Sequence, residues 1–160
     1  MAYSSTKKKS SSIVQISIGI LTVILVVLII AMMMIVSSIQ GTARIVNYAG
    51  LVRGKTQRIV KFEISGRQED DMIQEIESFI DGLRNGNKEL NLVRLEDSDF
   101  QTKMEELNEY FLMLKQEIMQ VRAYGADKTQ ILSKSEHFFE ICDEATGLAE
   151  VYSQRKASLL

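Results

Sequence analysis

The densest set of groups able to hold a ligand lies at Asn47, Gly50, Arg53, Gln57, Arg58 and Lys61. Each residue of a helix turns by 100°. Counted from Arg53, Gln57, Gly50, Lys61, Asn47 and Arg58 fall at about 40°, 60°, 80°, 120° and 140°. They form one broad polar, cationic face with a glycine in its middle. Ile45, Tyr48, Ala49, Val52, Thr56 and Ile59 occupy the other side, three or four residues apart, as in a buried helix stripe. Gly50 and Gly54 each cost about 1 kcal/mol relative to alanine inside a helix. Close approach of a partner backbone or a ligand would offset that cost. The same spacing also fits a solvated basic face, which is what many charge runs are.

Other residue types offer less. Cys142 is the only cysteine, so no intramolecular disulfide or multi-cysteine metal cluster can form, and its apolar helical position reads as a packed thiol. His137 is equally alone, so no metal and no cofactor is expected. Nucleophile elbows, phosphate-binding glycine loops and convergent acid–base pairs are missing, which argues against an enzyme. Glu105, Glu106, Glu109 and Glu117 read as the solvated side of an amphipathic helix. A net charge of −2 gives no reason to expect nucleic acid as a partner.

The elements that must position the cationic face begin with a membrane segment. Residues 1–12 are Ser-rich, contain Lys7, Lys8 and Lys9, and read as a disordered cytoplasmic tail. Residues 13–36 are almost wholly apolar and would span roughly 36 Å as a helix, enough to cross a membrane. That is longer than a signal-peptide core. The lysines precede it and the next cation is Arg44. The positive-inside rule therefore puts the N-terminus in the cytoplasm and residues 37–160 outside.

The chain has no proline, so long helices are permitted. Expected helices cover about 38–64, 68–84, 98–124 and 127–157. The first continues from the membrane segment and is capped at Gly66. The second starts at Glu69-Asp70-Asp71 and stops near Asn85-Gly86. Residues 87–97 read as an irregular connection packed on the helices. Ser98 and Gln101 form a capping-box pattern for the third helix. Its Phe100, Met104, Leu107, Phe111, Leu114, Ile118 and Val121 repeat as a heptad seam. The fourth helix starts near Asp127 as N-cap. The expected fold is all-α: an N-terminal transmembrane helix, then an extracytoplasmic antiparallel four-helix bundle over 37–157. Such a bundle returns the last helix to the membrane, so 158–160 read as a truncated approach to a second crossing.

Asn47-x-Ala49-Gly50-x-x-Arg53-x-x-x-x-Arg58, followed by Lys61, resembles the first-helix box of the nitrate and nitrite sensors NarX and NarQ. It is also similar to the sensor domain of PilJ-like type IV pili chemotaxis transducers. The stretch 135–145, with Tyr152-Ser153-Gln154 beyond, resembles the same family, and together the likeness covers most of residues 37–157. It implies a dimeric periplasmic sensor bundle of an inner-membrane receptor, whose kinase, cyclase or chemotaxis output would lie beyond residue 160. In the nitrate sensors the corresponding arginine comes from both subunits and clamps one anion at the dimer axis; here it is Arg53. Guanidinium suits this, since it donates fork-like hydrogen bonds to planar oxyanions. Gly54 and Lys55 replace the bulkier residues of the nitrate sensors. Lys55 lies about 160° from Arg53, off the same face.

The resulting expectation is a ligand-sensing input domain binding a small ligand, an anion such as nitrate fitting the clamp. Arg53, Gly50, Gln57 and Arg58 form the face, with Asn47 and Lys61 at its edges. The alternative is a single-pass membrane scaffold whose heptad seam pairs with partner helices.

Overall fold

A computed structural model describes residues 3–125 and 128–158, with the side chains of 14–37, 39–125 and 128–156. Four helices follow one another: α1 (Tyr3–Ile64), α2 (Asp70–Asn85), α3 (Ser98–Tyr124) and α4 (Lys128–Ser158). Two compact units divide the chain, residues 1–38 and 39–160, and α1 contributes to both.

The first unit is helical from Tyr3, so the Ser-rich stretch read as a disordered tail forms the opening turns of α1. No proline or glycine precedes Gly19, and extending an existing helix costs far less than nucleating one. Beyond it, Val14 to Val36 present apolar side chains on all sides, with Leu21, Met33 and Met34 more than two-thirds exposed. A core helix would bury such residues. This one, at a mean hydropathy of 3.2 with none of that window buried, is long and apolar enough to cross a membrane.

The second unit is an antiparallel four-helix bundle, and its long-range pairs fix the direction of each neighbour. Between α1 and α4, Ile64 meets Lys128, Gln57 meets Ser135 and Arg53 meets Asp143, so one helix descends as the other climbs. Tyr48 packs on Phe79 and Lys55 pairs with Glu75, giving the same sense for α1 and α2. Arg84–Glu105, Glu77–Lys115 and Asp70–Arg122 align α2 with α3. Lys103–Glu144, Phe111–Phe138 and Glu117–Lys134 align α3 with α4.

The core is the set of stripes that periodicity selects. Ile45, Ala49, Val52, Thr56 and Ile59 of α1 are fully buried, with Tyr48 half-buried beside them. All seven seam residues of α3, from Phe100 to Val121, are buried against the other helices of the same chain. Residues 86–97 form no strand, only a single antiparallel bridge between Asn87 and Leu92, and they seat Leu92 and Leu95 in the core. Gly86 is required there: its φ is +81°, and a Cβ would lie 3.2 Å from the Arg94 nitrogen. Gly125, at φ +64°, ends α3 in the left-handed conformation that suits a helix C-terminus.

Two local expectations are corrected. The N-cap of α3 is Asp97, whose Oδ1 accepts from the Phe100 amide at 3.0 Å; Gln101 donates to the Leu95 carbonyl instead. A carboxylate at the N-cap also meets the positive end of the helix, so it outcompetes the neighbouring serine. Glu117 is buried rather than solvated, because it borders the seam at Leu114 and Ile118 and Lys134 of α4 folds over it. Glu105, Glu106 and Glu109 are exposed as expected. Asp127, expected as the α4 N-cap, lies outside the described residues.

Candidate functional site

Helix α1 distributes the six candidate residues over two zones. Arg53 and Gln57 turn toward α4. Asn47, Arg58 and Lys61 are exposed, and Gly50 is half-buried between them. The cationic face is therefore continuous along the helix surface but is not one open patch. Its inner edge lies in the seam with α4, and its centre faces solvent.

Arg53 is the most elaborated of the six. Its Nη1 donates to Oδ1 of Asp143, and its guanidinium sits over the ring of Phe139, 4.9 Å from the centroid. Phe139 and Asp143 are one turn apart on α4, so they flank the guanidinium on one helix face. The side chains of Arg53 and Asp143 are 36% and 57% exposed, so water competes for both partners. An ion pair this exposed contributes about 0.2–1 kcal/mol. One turn further, Gln57 Nε2 donates to the Ser135 carbonyl at 3.2 Å, tying α1 to α4.

Beneath Arg53 and Asp143 lies Cys142, fully buried. Burial pushes its thiol up to about 12, against the opposing influence of the Arg53 charge. It is a packed core thiol, not a nucleophile. Lys55 points away from Arg53, pairing with Glu75 of α2 at 2.6 Å and lying 6.0 Å from the Phe79 ring centroid. Arg58 stacks its guanidinium over Phe62, 5.2 Å from the centroid. Neither Gly50 nor Gly54 has anything within 4 Å of where a Cβ would sit. Among the described residues, then, nothing approaches closely enough to compensate for those two glycines.

Among the described residues, open surface grooves lie elsewhere. One of about 430 Å³ runs along α3 by Leu112, Gln116 and Met119. Another of about 300 Å³ lies between Val46 of α1 and Gln154 of α4. Small ligands are usually held in concave sites, and neither of these grooves is lined by Arg53.

Asp143 and Phe139 have no assigned role in the sequence reading, although both fall within the α4 stretch that carries the family resemblance. Antiparallel register would have found them. Arg53 lies eleven residues before Ile64 on α1, and Phe139 lies eleven residues after Lys128, the partner of Ile64.

This architecture has a solved counterpart. The ligand-binding domain of the P. aeruginosa nitrate receptor McpN superposes with a TM-score of 0.62 and 18% sequence identity, covering 69% of this chain and 96% of that one. The chain shares the fold of that domain. At this identity the likeness is one of fold, and it does not single out NarX, NarQ or PilJ. No protein-family model matches the chain, and no curated protein matches it.

Proposed function

We propose that the chain is the ligand-sensing input domain of a bacterial transmembrane receptor, with residues 37–160 on the extracytoplasmic side. Its ligand is a small anion, nitrate being the first to test, held where α1 faces of two copies meet. The observation that carries this reading is Arg53. It is a guanidinium on the bundle surface, held by one exposed carboxylate and one ring, beside two glycines that no described residue approaches. The helix box around Arg53 and a sensor-domain fold support the same reading. Two copies of Arg53 facing each other would repel, and an anion between them would remove that repulsion. Binding would then bias the arrangement of α1, which also contains the membrane-crossing segment.

The test is a melting-temperature measurement on the full chain in detergent micelles, with sodium nitrate against sodium chloride at equal ionic strength. Nitrate should raise the melting temperature of the native chain, and Arg53→Ala should abolish the rise. An equal rise in both proteins would remove Arg53 from the site. The scaffold alternative rested on the α3 heptad seam, and those seven residues are buried within this chain.

A further inference from the structure

We infer that Asp143 is a built-in competitor for Arg53, a carboxylate on α4 that sets how strongly the site attracts an anion and that a bound anion must offset. The inference rests on the anion reading of Arg53 and deepens it. Its basis is the ion pair between Arg53 Nη1 and Asp143 Oδ1, which joins residues 90 positions apart in sequence.

The pair offsets part of the Arg53 charge, while Arg58 and Lys61 of the same face stay exposed. A guanidinium carries five N–H donors, and the described hydrogen bond to Asp143 uses Nη1. An oxyanion approaching the remaining donors meets a positive charge and, one side chain further on, a negative one. Two unit charges about 6 Å apart in surface surroundings change an equilibrium by roughly three- to hundredfold. Salt screening pulls that toward the lower end. Asp143 is accordingly expected to weaken anion binding about three- to tenfold relative to a neutral residue of the same shape.

The geometry favours competition over support. A residue that positions an arginine for a ligand is usually itself buried and fixed by further hydrogen bonds. Asp143 is more than half exposed, and Arg53 is its one described hydrogen-bonding partner. Phe139 already holds the guanidinium from the same face of α4. Asp143 can therefore be released without unseating Arg53.

Competition also has a consequence for selectivity. Only an anion that engages the guanidinium by a planar, two-point fork gains enough to offset the displaced carboxylate. Nitrate and small carboxylates qualify, and spherical halides do not. Because Asp143 is on α4 and Arg53 on α1, an anion that takes the guanidinium also loosens one tie between the first and last helices.

The experiment is a nitrate titration of the full chain in lipid nanodiscs by calorimetry, with native protein, Asp143→Asn, Arg53→Ala and the double variant. Asparagine preserves shape and removes the charge. The expected result is a three- to tenfold lower Kd for Asp143→Asn, a smaller preference for nitrate over chloride, and no binding in either variant lacking Arg53. Nitrate binding by Asp143→Asn alone also supports competition. An unchanged or higher Kd for Asp143→Asn, with Arg53→Ala still inactive, overturns the role of Asp143 and leaves the anion reading standing. Absence of nitrate binding in all four proteins overturns both. Circular-dichroism melting of each variant separates a folding defect from a binding effect, and Asp143→Ser supplies a second neutral residue should Asp143→Asn melt early.

Discussion

Arg122 and Arg53 are both held by carboxylates, in contrasting surroundings. Arg122 of α3 donates Nε and Nη2 to the two oxygens of Glu63, at 3.0 and 2.5 Å, and Nη1 to Asp70 at 2.5 Å. Its side chain is 12% exposed and that of Glu63 3%. The hydrogen bonds to Glu63, chiefly, hold the guanidinium well above its ordinary value, against the opposing effect of burial. This group clamps the end of α1, the start of α2 and the end of α3. Arg53 has one partner carboxylate, in water. A charge buried with its donors satisfied cannot exchange partners without a large penalty, whereas an exposed one-point pair can. The first is fixed by burial, and the second is free to exchange.

The largest effect should come from breaking the buried clamp. Arg122→Met leaves Glu63 buried and charged without its partner, and should lower stability by about 3–5 kcal/mol in urea unfolding. The double change Glu63→Leu with Arg122→Met should recover a good part of that loss, because no lone charge then remains. Equal losses in single and double variants would mean that the clamp acts through packing instead. Next in size is Lys134→Ala, which strips Glu117 of its cover and should cost about 1–3 kcal/mol.

Arg53→Ala should cost less than about 1 kcal/mol without ligand while removing the nitrate response, the reverse of the pattern at Arg122. Gly54→Ala should stabilise the isolated bundle by about 0.5–1 kcal/mol, since the helix is regular there and a Cβ meets nothing. If a second copy approaches that face, the same change should weaken association in analytical ultracentrifugation.

The smallest effect concerns Lys103, which bridges Glu106 of its own helix and Glu144 of α4. Its hydrogen bonds, to Glu106 before Glu144, raise its ammonium, while Lys103 lowers the Glu144 carboxyl. A lowered acid stabilises the fold above its ordinary value of 4.5 and loses that contribution as pH falls through the lowered one. A raised base stabilises below 10.5 and loses it as pH rises through the raised one. The stability difference between native protein and Lys103→Gln should therefore be flat from about pH 5 to 10 and shrink on both sides. A difference that instead grew in acid would contradict the pairing.

Legibility from sequence followed the range of the interactions. The membrane-length helix, four helical spans, buried α1 stripe, α3 seam and glycine stops at 66 and 86 all depend on neighbours within a turn or two. Periodicity and backbone permissiveness report such neighbours directly. The Asp97 cap was missed by one position because Ser98 offers an equally plausible pattern, and only backbone geometry chooses between them.

What the sequence determined by itself is the set of helices and which stripe each one hides, because hydrophobic burial has the period of the helix. It also placed Arg53 on a cationic face. Tertiary structure alone decided that Arg53 lies against Phe139 and Asp143, that Glu117 is covered by Lys134, and that Arg122 locks onto Glu63. Those choices join residues from 17 to 90 positions apart. Charged side chains carry no period that reveals a distant partner, so only the antiparallel register of packed helices brings each pair together.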